Sequence, residues 1–125
     1  MKIAVIVVRS LMGALFIFAS VTYLFKLITP PETTGAMKVF NDGLEASGYM
    51  MNLVKITELI CGLALISGRF VPLALVVLSP IIVNIFFVHL YLDPQNLPVA
   101  VFLILANSFL AYTNWDKFKP LFESK

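Results

Sequence analysis

The chain has 125 residues, 60% of them hydrophobic and only 13% charged, with a formal net charge of +2. A chain this short cannot hide so much apolar surface in a soluble core of its own, so lipid must be part of its solvent. The weak, scattered positive charge excludes a nucleic-acid surface, which needs Lys and Arg clustered on one face. Cys61, the only cysteine, leaves no internal disulfide, CxxC pair or thiolate metal site and reads as a small packing residue.

The first predicted element runs from about Ile3 to Phe25. It is longer than the apolar core of a signal peptide and lacks a small-residue cleavage site, so it reads as a retained transmembrane helix. Arg9, Gly13, Phe16, Ser20 and Tyr23 fall on one of its faces, a seam where a small residue allows close helix approach. Arg9 lies roughly 9 Å inside one edge, within snorkelling reach of water. Ile28-Thr-Pro-Pro marks the end of the helix, because a residue before proline is biased away from helical geometry.

Residues 33–48, TTGAMKVFNDGLEASG, place Ala36, Met37, Phe40 and Leu44 at helical spacing against Lys38, Asn41, Asp42 and Glu45. This predicts a short amphipathic helix over about 33–47, with a threonine cap at its start, lying along the membrane surface or over a bundle.

Three further spans follow, over about Tyr49–Ser67, Pro72–Leu92 and Leu97–Thr113. Each is close to the roughly 20 residues that cross a hydrocarbon core of about 30 Å. Gly68 fits a helix stop and Pro72 a first turn. Asp93-Pro94 forms a turn, Asn96 is a candidate N-cap, and Pro98 lies where a missing amide costs least. Helix is forced, because lipid offers backbone groups no partners and four spans cannot close a β-barrel. The expected fold is therefore all-α, a single four-helix integral membrane bundle with a short amphipathic helix between the first two spans.

Basic residues fix the expected orientation. Lys2, Arg9, Arg69, Lys117, Lys119 and Lys125 lie on one side, against Lys26 and Lys38 on the other. The positive-inside rule then puts both termini in the cytoplasm, with Trp115 as an interfacial anchor.

Ionisable residues inside a membrane are functional candidates, because a charge at bilayer centre costs on the order of 2.5–3.5 kcal/mol. Glu58 lies roughly 14 Å from one edge of its span, and Asn84 and Asn107 lie at roughly 12 and 15 Å on the next two helices. Three helices thus contribute polar groups to one layer. Lys55 stands one turn from Glu58 on the same face. The carboxylate can persist there paired with Lys55, hydrogen-bonded by the asparagines, or protonated. The same polar layer also suits a purely structural reading, in which side-chain hydrogen bonds hold helices together.

Pro80 sits inside the third span, where it frees a backbone carbonyl and favours a kink one turn before Asn84. His89 and Tyr91 near one end of that span, and Tyr23 near the end of the first, border the same half. His89 is about 140° around an ideal helix from Asn84. Without a second histidine or a nearby cysteine it makes a poor metal ligand, and a helix-end hydrogen bond suits it better. No phosphate-binding loop, dinucleotide fingerprint, nucleophile elbow or haem-attachment motif is present.

These features together resemble the DoxX family of small bacterial four-helix membrane proteins. The resemblance rests on Arg9 early in the first helix, Ala46-Ser-Gly-Tyr before the second, and Glu58 with the apolar run to Gly68-Arg69. It also rests on Pro80-x-x-x-Asn84 leading to His89-x-x-x-Asp93-Pro94. It implies a bacterial inner-membrane bundle and, for the family's namesake, a membrane subunit of a thiosulfate:quinone oxidoreductase. Carried over by position, Arg9, Glu58, Asn84 and His89 become candidate site residues, whereas Lys55 has no counterpart in the pattern.

The leading expectation is a subunit of a redox or respiratory-type complex with a quinone-sized pocket. In it Glu58 exchanges protons, Asn84 and Asn107 orient the headgroup, Arg9 or Lys55 balances charge, and His89 and Tyr23 border the site. A noncatalytic accessory or assembly subunit, and a proton-coupled small-molecule carrier with Glu58 as its site in a homo-oligomer, are the alternatives. No metal is expected, and no catalytic motif acts on its own.

Overall fold

The computed structural model describes residues 2–27 and 34–123 of the chain. The Ile28-Thr-Pro-Pro boundary lies outside them, and the expected threonine cap falls on Thr34, which stands in extended conformation just before Gly35 but makes no side-chain cap hydrogen bond. Helix α1 spans Lys2–Leu24, α2 Gly35–Ala46, α3 Met50–Ser67, α4 Val71–Tyr91 and α5 Leu97–Thr113. A single 3₁₀ turn, Pro94–Asn96, joins α4 to α5, and two short turns, Trp115–Phe118 and Lys119–Phe122, follow α5. The all-α membrane bundle expected from the sequence is what the chain forms. Among the described residues, four helices are long and apolar enough to cross a membrane, α5 together with its 3₁₀ lead-in being the fourth.

The spans pack in a ring, α1 against α3, α3 against α4, α4 against α5 and α5 back against α1. The start of α1 and the turns that follow α5 lie at one end, called the terminal end below, and α2 lies at the other. The interior of the terminal half is filled by Met12, Leu65, Leu75, Leu78 and Leu110, each 1% exposed or less. Phe118 from the first C-terminal turn is buried with them. Cys61 packs in the same core. Large apolar side chains such as Ile3, Phe18, Ile60 and Leu105 point outward and stay more than half exposed. In water such a surface would aggregate, and in a bilayer it is the lipid-facing surface.

The tightest contact is between α1 and α3. A β-carbon on Gly13 would lie 2.9 Å from the Gly62 carbonyl oxygen, and one on Gly62 would lie 3.0 Å from the Gly13 carbonyl oxygen. The two backbones meet where neither has a side chain, the small-residue contact by which membrane helices gain packing without a hydrophobic drive. At the terminal end α3 stops at Gly68, whose left-handed φ of 77° lets its amide bond back to the Ala64 carbonyl. Phe70 follows in a left-handed conformation and opens α4.

Helix α4 runs unbroken through Pro80, although the ring leaves the Val76 carbonyl without its usual donor. Ser79 beside it bonds back to the Leu75 carbonyl at 2.7 Å. Helix α2 has no fully buried residue and carries an exposed Lys38–Asp42 pair on its outer face. It rests on the bundle by its apolar edge.

Two glycine substitutions should separate these environments. Gly13→Val drives a branched side chain into the α1–α3 crossing and should cost about 1–3 kcal/mol or more. Gly43→Ala in α2, where an added carbon meets no atom within 4 Å, should gain about 0.5–1 kcal/mol from helix preference alone. Denaturant unfolding of the detergent-solubilised protein measures both, and equal effects would contradict the packing described.

Candidate functional site

Residue Glu58, on α3 roughly 12 Å from that helix's α2 end, is 3% exposed. Its Oε2 lies 3.4 Å from Lys55 Nζ, one turn nearer the α2 end, and the lysine side chain is itself only 16% exposed. Lys55 Nζ also lies 5.9 Å from the centre of the Tyr23 ring of α1, within cation–π range. A charge this far from water survives only if compensated, and here carboxylate and ring share one ammonium.

Both members of the pair line a cavity of about 630 Å³ in the α2 half of the bundle. Its walls come from every span and from α2. Phe16 and Ala19 of α1 stand on one side, Pro80, Asn84 and His89 of α4 on another, and Leu103 of α5 on a third. Met37, Phe40, Asn41 and Leu44 of α2 lie across the top. Leu15 and Phe18 of α1 and Val99 of α5 also line it and are 40%, 62% and 48% exposed. The cavity therefore opens sideways between α1 and α5 toward lipid, and its volume falls in the range of small-molecule sites.

Asn84 and His89 both reach the cavity although they are about 140° apart on an ideal helix. They do so at different depths, Asn84 near the level of Glu58 and His89 near the α2 end. Asn84 is exposed, lines the cavity and makes no side-chain hydrogen bond to any described residue. His89 Nδ1 is buried and lies 3.7 Å from Asp93 Oδ2, too long for a hydrogen bond. Asn96 Nδ2 in turn donates to that same Asp93 oxygen.

Three sequence candidates lie elsewhere. Arg9 sits at the terminal end, where a β-carbon on Gly68 would meet its Nη atoms at 3.3 Å. The guanidinium thus lies over the C-terminus of α3, where a cation is favoured by the helix dipole, and far from Glu58. Asn107 faces α4, donating at 3.2 Å to the Oγ of Ser79, five residues from Asn84 toward the terminal end. Its Oδ1 is buried without a partner. Tyr23 is not part of the cavity lining but stands behind Lys55.

Sequence reasoning missed Ser79, Asp93 and Asn41 as partners or wall residues. For Asp93 the signal was present, because it follows His89 at the i,i+4 spacing that brings side chains together. Ser79 sits in an unbroken apolar run beside a proline, with nothing to show which way it faces.

Residues 4–90 match the DoxX family model, which covers α1 to α4 almost entirely. The chain belongs to the DoxX family. No curated protein and no solved structure matches it. This DoxX protein is thus a small multi-pass membrane protein, and its cavity lies largely within the matched region. Among the described residues no group of three His, Cys, Asp or Glu stands close enough to hold a metal ion.

The pair can be weighed by a double-mutant cycle. Lys55→Met leaves the Glu58 carboxylate without its partner and should destabilise by up to about 3–5 kcal/mol. Lys55→Met with Glu58→Gln should recover most of that loss. Unfolding free energies that simply add would show that the two groups do not interact.

Proposed function

We propose that this DoxX protein is a small bacterial inner-membrane subunit, with both termini cytoplasmic, of a redox or respiratory-type complex. Its cavity takes the head of a quinone-class amphiphile. The observation that carries the reading is the Lys55–Glu58 ion pair at the floor of an apolar cavity that opens to lipid. The terminal end, which carries Arg9, Arg69 and Lys117, is the more basic one, and this supports the orientation.

The residues fit such a ligand. A quinone head is a flat ring with two carbonyl acceptors, and the Lys55 ammonium and the Asn84 amide are donors on the cavity wall. Phe16 and Phe40 supply aromatic faces for the ring, and the gap past Leu15 and Phe18 gives an isoprenoid tail a way into lipid. When bound, a quinone supplies two-electron, two-proton chemistry, with the electrons drawn from a partner subunit. Glu58 holds or gives up a proton at its carboxyl, and Lys55 keeps the site near neutral when that proton leaves. Asn107 is read as packing between α4 and α5.

Titration of a short-tailed benzoquinone into the purified protein tests the reading. Saturable binding at one site per chain is expected. Asn84→Leu removes a donor that holds nothing else in place and should weaken binding about 5- to 10-fold, the effect of one hydrogen bond of about 1 kcal/mol. Unsaturable partitioning, or equal affinity in the variant, would favour an accessory role in which the polar residues only fix helix packing.

A further inference from the structure

We infer that Glu58 exchanges its proton with water on one side of the membrane only, the side bearing α2, and that His89 and Asp93 carry that proton. The inference rests on reading Glu58 as a proton-exchanging group and adds the route and its direction.

The two directions away from Glu58 are unlike. Toward the terminal end the interior is occupied by Met12, Leu65, Leu75, Leu78 and Leu110, none more than 1% exposed. These side chains offer no hydrogen-bonded path, and the groove of about 460 Å³ that runs between α3 and α4 in this half, from Thr57 and Cys61 to Phe70, is otherwise apolar and faces lipid, so no polar route leads that way. The nearest polar pair in that half, Ser79 and Asn107, bond to each other and lie off the cavity. Toward the α2 end the cavity itself is the path. Asn41, Lys55, Asn84 and His89 are the polar side chains on its wall, and they give water along it hydrogen-bond partners between Glu58 and the α2 end.

His89 stands on the wall of that cavity near its end, and beyond it is Asp93, whose side chain is 27% exposed. The imidazole therefore stands between the cavity and the surface. It has two nitrogens, and Nδ1 is the one turned toward Asp93 and left without a hydrogen bond. Asn96 holds the Asp93 carboxylate in place.

The step balances without any other reactant. A proton from bulk water reaches Asp93 and binds His89 Nδ1. The imidazolium releases its Nε2 proton to cavity water, and that proton passes to the Glu58 carboxylate. The histidine then returns to its starting tautomer, and reversal discharges the site. The other charged or titratable groups on the route are Lys55 on Glu58's own helix, Tyr23 from α1, and Glu45 of α2 beside Tyr23. Helix α5 presents only apolar Val99 and Leu103 to the cavity. A carrier would need a second route on the terminal side, which the packed interior does not offer.

The test follows the Glu58 carboxyl band by time-resolved infrared spectroscopy after a light-triggered proton release, in the full chain in lipid nanodiscs. The band is identified by its loss in Glu58→Gln. In the wild type it should respond to the jump, and in both His89→Ala and Asp93→Asn the response should slow at least tenfold. Added imidazole should restore the rate in His89→Ala, which a merely structural role for His89 would not allow. A wild-type band at unchanged speed in both variants, or no rescue by imidazole, overturns the route and leaves Glu58 as an exchanging group. No pH-sensitive band in the wild type overturns the reading of Glu58 itself.

Discussion

A carboxylate near mid-membrane depth has to be compensated, and the Lys55–Glu58 contact is what the α2 half of this bundle is arranged around. The pair sits on one helix, one turn apart, so its geometry is set locally and survives small shifts of the other spans. What the rest of the chain supplies is the low-dielectric surroundings and the means of relief. Tyr23 places a ring against the ammonium, and the cavity gives the carboxylate an approach to polar molecules. Were the cavity packed shut, the pair would only cost desolvation, and an apolar pair of similar size would serve the fold better.

The two halves of the bundle divide the work. The terminal half is close-packed, with the Gly13–Gly62 crossing drawing α1 and α3 together and Arg9 resting on the αL turn at Gly68. The α2 half is open, with α1 and α5 parted at its mouth and α2 laid across it. Close packing on one side and a laterally open cavity on the other place the Lys55–Glu58 pair within reach of lipid-soluble molecules and away from one aqueous phase.

The fold was legible because lipid leaves a chain few options. Apolar runs of span length must be helices, and Gly68, Asp93-Pro94 and the Met37, Phe40, Leu44 spacing set their ends and the place of α2. Depth was legible in part, since counting at about 1.5 Å per residue put Glu58 and Asn84 at one level and both line the cavity, whereas Asn107 bonds to Ser79, five residues nearer the terminal end than Asn84. Azimuth was not. A helix apolar all round has no moment to say which face looks inward, so Asn107 could not be seen to face Ser79, nor Asn84 to face the cavity. Arg9 illustrates the same limit, because its position early in α1 fixed its depth while its partner, Gly68, belongs to a turn two helices away in the chain.

The central claim is that the cavity above Glu58 holds a lipid-soluble redox molecule in the membrane where the protein works. Native mass spectrometry of the protein released gently from its own membranes tests it most directly. The account predicts the chain with one bound quinone, alone or together with redox subunits. A bare chain or homo-oligomer carrying only ordinary lipid would contradict it.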